Sequence, residues 1–355
     1  MQISTGRQQW ADIAKGLSIV FVVFHHVVGW PFQQGFIENT NLYHLYNAMQ
    51  YFRMPLFFMA AGLFARSTIY GDNAKFIGRV RFLMYVFILW SVIRYGFEGS
   101  LSLMFSAANF DPSEILGILL WPMPSLWFLY ALAIFTIIAR LTRNIPIEWL
   151  ILGAVCVNLT INMSTYVAPA FDTGLPIVNR VLTYYVFFLL GYARPGMWSS
   201  IANAATWPLA LLATAAFFGL YVIDYVGLGR EVRGTILFMQ VLSLFSGVLI
   251  CAMLQGTAFG RLFEFVGRHT LPVYLMHVYV LEACWRVAVK IAPASFADPL
   301  MIAITALAVG LPIVAYHIAM KLGLNFLFEW PGSPGRARSD APKAPAGAER
   351  GSNAA

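Results

Sequence analysis

Residues 10–26, WADIAKGLSIVFVVFHH, decide the fold class. The apolar run is long enough to cross a bilayer, yet it carries Asp12 and Lys15 near one end and His25 and His26 deep inside. Ionisable groups at membrane depth are costly and are kept where they face protein or a polar cavity. A removable leader would end at a small-residue cleavage site, and none is seen here, so the span is expected to be retained.

The same texture continues outward. Of 355 residues, 59% are hydrophobic and only 11% are charged, against about 25% charged in a soluble domain. This excludes an ordinary soluble enzyme. Lys and Arg number 23 against 16 Asp and Glu, for a net charge of +7. Because the basic residues cluster briefly between apolar runs, they read as a topology signal, and no nucleic-acid partner is expected. Cys156, Cys251 and Cys284 lie far apart inside apolar runs and read as packing residues; no metal site is suggested.

Hydropathy predicts spans near 11–30, 47–66, 78–98, 123–140, 147–166, 177–194, 206–224, 233–254, 271–291 and 298–323. The expected fold is therefore an all-α polytopic membrane protein of about ten transmembrane helices. An integral membrane domain covers 1–325, and a Pro-, Gly- and charge-rich tail at 331–355 is expected to be disordered. In the weakest span, the fifth, Asn158, Thr160 and Asn162 would have to face protein. The NLT and NMS triplets there are discounted as glycosylation sites because they lie in a span. One set of connections collects Arg7, Lys15, Arg66, Lys75, Arg79, Arg81, Arg140, Arg143, Arg194, Arg261, Arg268, Lys321, Arg336, Arg338, Lys343 and Arg350, which is 16 of the 23 cations. Cytoplasmic loops retain cations, so both termini are expected inside and the loop at 99–122 outside, in a bacterial inner membrane.

Lys15 and His26 are 11 positions apart, which is three helical turns plus about 20°, so they share one face about 16 Å apart in height. Asp12 falls near the same stripe, whereas His25 points about 80–100° away. Lys15 would lie near the cytoplasmic end and His26 in the outer half, an arrangement that suits a substrate path and equally suits two buried imidazoles near an aromatic interface. Arg53, in YFRMPLFFMAAG, lies at the depth of His26 and has a fork suited to carboxylate or phosphate; the alternative is an arginine snorkelling to the outer headgroups. Pro55 is read as a bend and Gly62 as a packing site. Trp127 and Tyr130 either shape an outward pocket or belong to an interfacial belt. Lys75, Arg79 and Arg81 either bind the phosphates of a nucleotide-like donor or follow the positive-inside rule. His277, with Tyr274 one turn before it, is expected about one and a half turns in from the cytoplasmic face, contacting a donor or tying two helices together. His44, His269 and His317 show no partner in sequence.

Four segments in order resemble the acyltransferase 3 family of membrane acyltransferases, in particular its fucose 4-O-acetylase-like branch of sugar O-acetyltransferases. They are the Lys15-to-His26 spacing, FRMPLFFMAAG, LWFL in the fourth span, and GRHTLPVYLMH. The resemblance covers nearly all of 7–325. Lys15 stands where Arg is more usual, and Ala61 and Thr270 stand where Ser is common; no extracytoplasmic esterase-like domain is expected at the C-terminus, so a standalone enzyme is expected. The resemblance implies transfer of an acetyl or other short acyl group from cytoplasmic acyl-CoA to a hydroxyl of a cell-envelope glycan or glycolipid, with no permanently bound cofactor. His26 and Arg53 would be catalytic. Lys15, Lys75, Arg79, Arg81 and His277 would hold the donor, and Trp127, Tyr130 and His25 the acceptor. A secondary transporter or flippase for a polar solute or lipid-linked glycan is the alternative, with a membrane assembly or sensor protein a third reading.

Overall fold

The computed structural model describes residues 9–37, 40–105, 117, 125–167, 176–226, 235–291 and 296–331. Twelve α-helices occupy them: α1 (Gln9–Gln33), α2 (Tyr43–Ile69), α3 (Asn73–Phe105), α4 (Trp127–Leu141), α5 (Ile147–Val167), α6 (Pro176–Ala193), α7 (Pro195–Asn203), α8 (Trp207–Tyr225), α9 (Thr235–Met253), α10 (Ala258–Arg268), α11 (Thr270–Ile291) and α12 (Ala297–Lys321). Each predicted span falls on a helix, and α7 and α10 are short additions within predicted connections. Five of the described helices, α1, α3, α8, α9 and α12, are long and apolar enough to cross a membrane, and α4, α5 and α6 are apolar but shorter. Apolar side chains such as Leu211, Leu212 and Val222 of α8 face outward, as expected where lipid and not water is the surrounding solvent. The chain is a helical membrane protein.

Four expectations need correction or placing. The loop expected from 99 begins as helix, because α3 continues to Phe105; of the remainder of that loop, only Gly117 is described. The tail at 331–355 lies outside the described residues except for Pro331. In the fifth span, Asn158 is buried as expected, and its amide donates to the Thr183 carbonyl at 2.6 Å. Thr160 is instead exposed and donates to Cys156 O of its own helix at 2.8 Å, which satisfies a hydroxyl without a neighbour. Cys251 is buried as a packing residue, whereas Cys156 is exposed.

Helix α1 is central and packs on α2, α9, α10, α11 and α12. Two glycine contacts set how closely the backbones approach. A methyl group at Gly62 of α2 would land on the Phe188 carbonyl of α6, and one at Gly191 on the Met59 carbonyl. Likewise Gly16 of α1 meets Phe263 of α10, and Gly267 meets Asp12. Small residues at such crossings allow the helices into contact where lipid supplies no hydrophobic drive.

Pro31 and Pro55 are inside α1 and α2. Proline has no N–H, so each leaves the carbonyl four residues earlier without its helical donor. Those carbonyls belong to Val27 and Tyr51, and both are met by side chains from other helices. The Trp285 indole of α11 donates to Val27 O at 2.9 Å, and the Ser243 hydroxyl of α9 lies 2.8 Å from Tyr51 O and 2.8 Å from Gln240 O. Each proline therefore creates a polar socket for a specific neighbour. One socket is next to His26 and the other two residues from Arg53.

Candidate active site

A cavity of about 1000 Å³ lies where the C-terminal half of α1 meets α2, the end of α3, the start of α4, the start of α6 and α11. Its size is at the upper end of the ligand-cavity range of about 300–1,000 Å³. Its lining includes His25, His26, Arg53, Arg94, Glu98, Trp127 and Arg180.

Helices α1 and α11 position the two central imidazoles. Gly16 contacts Gly267, and ten residues further along each chain His26 and His277 are side by side, with ring centroids 5.2 Å apart. His277 is fully buried. Its Nδ1 lies 2.7 Å from Tyr274 O and 3.1 Å from Val273 O. Carbonyl oxygens only accept, so Nδ1 carries the proton and, in the neutral ring, Nε2 is left as an acceptor. That Nε2 is buried without a hydrogen-bond partner. His277 of α11 thus meets His26 of α1, in line with the height at which Gly267 packs against Gly16.

His25 stacks flat on Tyr46 at 4.6 Å and lines the cavity despite pointing away from the Lys15–His26 stripe, because the cavity wraps around α1 toward α2. Arg53 is largely buried, and its Nη1 has no partner. Trp127 lines the cavity with the Arg180 guanidinium over its ring, 5.4 Å from the centroid. Tyr130 does not line it and packs on Phe87 at 5.3 Å. Tyr274 also lines the cavity, and the Phe128 backbone N–H donates to its hydroxyl at 3.0 Å.

The cation group expected to hold a donor lies elsewhere. Lys75, Arg79 and Arg81 are exposed at the start of α3, whereas Arg94 of the same helix lines the cavity about 20–28 Å further along at 1.5 Å per residue. Arg81 sits over Trp330, 4.7 Å from the centroid, and Arg79 lies near Phe82. Lys15 is ion-paired to Asp12 at 2.6 Å and sits 4.2 Å over the Phe64 ring. Along α1 the cavity lining begins at Val22, and Ser18 beneath it is fully buried, its hydroxyl without a partner.

Sequence reasoning passed over Arg94, Glu98, Glu282 and Arg180. Arg94 of α3 pairs with Glu98 one turn on at 2.6 Å and with Glu282 of α11. A cation and two carboxylates inside apolar runs were the available signal, but their pairing across 188 positions is visible only in three dimensions.

Helices bundled for lipid around a polar, histidine- and arginine-lined chamber define a membrane protein with a chemically equipped internal site. The acyltransferase domain profile of the acyltransferase 3 family matches residues 8–318. The chain belongs to this family and is a membrane acyltransferase. No curated protein and no solved structure matches it.

Proposed function

We propose that the protein is an O-acyltransferase of a bacterial inner membrane, moving an acetyl or other short acyl group from cytoplasmic acyl-CoA to a hydroxyl of a cell-envelope glycan, as in the fucose 4-O-acetylase-like branch. In this reading the ten apolar helices cross the membrane, both termini are cytoplasmic, and the cavity opens outward. The observation that carries the proposal is the placement of His26 on the cavity wall, about 16 Å along α1 from Lys15.

Coenzyme A is too polar to enter lipid, so its nucleotide stays beside Lys15, Lys75, Arg79 and Arg81 while the slender pantetheine arm follows the Lys15–His26 stripe. His26, neutral, removes the proton from the acceptor hydroxyl. The oxygen attacks the thioester carbonyl, forming the C–O bond and a tetrahedral oxyanion. The C–S bond then breaks, and the departing thiolate takes the proton back from His26, leaving an O-acyl ester and free CoA. Arg53 favours the negative charge of the intermediate. His25 and Trp127 contact the acceptor.

The test uses the full chain in lipid nanodiscs with acetyl-CoA, following CoA release, together with mass spectrometry of envelope glycans from producing cells. His26→Ala is expected to lower transfer by about 10²–10⁴-fold, the range for a general base, at equal protein level. Retained transfer removes His26 from the mechanism, and the absence of any acyl-CoA turnover by the unaltered chain removes the acyltransfer reaction itself.

A further inference from the structure

The charges around the cavity are sorted between its walls. On the α3 and α11 side, Arg94 is matched by Glu98 and Glu282. On the α2 and α6 side stand Arg53 and Arg180, and among the described residues no carboxylate pairs with either. Both guanidiniums line the same cavity as His25. Arg53 has a buried nitrogen with no acceptor. Arg180 is exposed at the rim and lies against the face of Trp127.

Keeping Arg53 with a buried nitrogen and no carboxylate partner among the described residues is unfavourable unless an anion completes the site. The oxyanion of acyl transfer accounts for one negative charge, formed only transiently and beside Arg53. For the second cation no carboxylate partner stands among the described residues. Arg180 is exposed, with its guanidinium carbon 5.4 Å from the Trp127 ring centroid, and a guanidinium held beside an indole is suited to pairing with a carboxylate or phosphate.

We infer that the acceptor carries a fixed negative charge, and that Arg180, backed by the field of Arg53, binds it at the mouth of the cavity. The inference rests on the acyltransferase reading for the word acceptor, but the anion site itself does not depend on it. The acidic partners of Arg94 across the cavity orient the ligand by repelling the same group, so the sugar hydroxyls face that wall while the anion faces α6. A carboxylate on the sugar and a phosphate linking the sugar to a lipid offer the same chemistry.

Calorimetric titration of the full chain, in nanodiscs of uncharged net lipid, tests the site with three probes: methyl glucuronide for the carboxylate, glucose 1-phosphate for the phosphate, and methyl glucoside as the neutral reference. At least one anionic probe is expected to bind about tenfold or more tightly than the neutral one, as charge-assisted pairing implies. The preference should shrink as salt rises to about 0.5 M. Arg180→Gln is expected to abolish the preference and Arg180→Lys to keep part of it, both melting at the temperature of the unaltered chain. Which probe prevails identifies the source of the charge. Equal binding of all three probes, or a preference undiminished by Arg180→Gln, overturns the inference. Assays of acetyl-CoA consumption separate the two claims. Anion-selective binding without acyl-CoA turnover leaves the site standing and the reaction refuted, whereas turnover with no charge preference does the reverse.

Discussion

At the scale of single residues, the tautomer of His277 is fixed by its own helix, and this makes it a positioning group for His26. Its bare Nε2 is a ready acceptor for a His26 N–H, which would leave the other His26 nitrogen unprotonated toward the cavity, the form a general base requires. His277→Phe is expected to lower kcat by about 10–100-fold, the cost seen when a histidine loses its orienting partner, with acceptor KM nearly unchanged. His277→Gln, whose side-chain oxygen accepts, should recover part of kcat, measured by CoA release. Equal loss in Phe and Gln variants would mean that His277 only fills space. The pairing of these two imidazoles was not legible in sequence. Periodicity within α1 placed His26 correctly relative to Lys15, but the height of His277 depends on where α10 packs against Gly16, a contact 251 positions apart in the chain.

At the scale of elements, the prolines and the residues that answer them carry a pairwise claim. Pro31 frees Val27 O, and Trp285 satisfies it at 2.9 Å. Trp285→Phe should cost about 1–3 kcal/mol, the penalty for stranding a buried polar group. In a Pro31→Ala background the helix supplies its own N–H, so the same substitution should cost less. A double-mutant cycle of thermal or denaturant unfolding in detergent measures the difference; purely additive effects would show that Trp285 contributes packing alone. Sequence alone read Pro55 as a bend and did not identify the freed carbonyls as sockets, because the donors arrive from α9 and α11. The helical character of the apolar segments, by contrast, was legible, since a long apolar run is a strong local signal, and five of the described helices are long and apolar enough to cross a membrane. The misjudged boundary was at α3, where Gly99 and Ser100 read as loop but extend the helix; Arg94–Glu98 is an i,i+4 pair that favours it.

At the scale of the whole molecule, the cavity and the exposed cations of α3 are separated by most of a membrane thickness, and α1 joins the two regions. Lys15, Ser18, Val22 and His26 lie along one stripe, and only the last two line the cavity. Donor entry along α1 in the proposed reaction therefore requires packing around Ser18 to yield, since Ser18 is fully buried below the cavity and its hydroxyl has no partner. Ser18→Met adds bulk there without touching the cavity. It is expected to raise the KM for acetyl-CoA about tenfold or more, corresponding to roughly 1.4 kcal/mol or more of lost binding, while leaving the affinity for an acceptor probe within about twofold. Calorimetry with the probe and CoA-release kinetics on the same nanodisc preparation read the two effects separately. Should acetyl-CoA kinetics stay unchanged, the donor does not travel along α1, and the shared stripe of Lys15 and His26 is a packing feature of the central helix. Should both ligands weaken together, Ser18 supports the cavity wall and the route lies on another face.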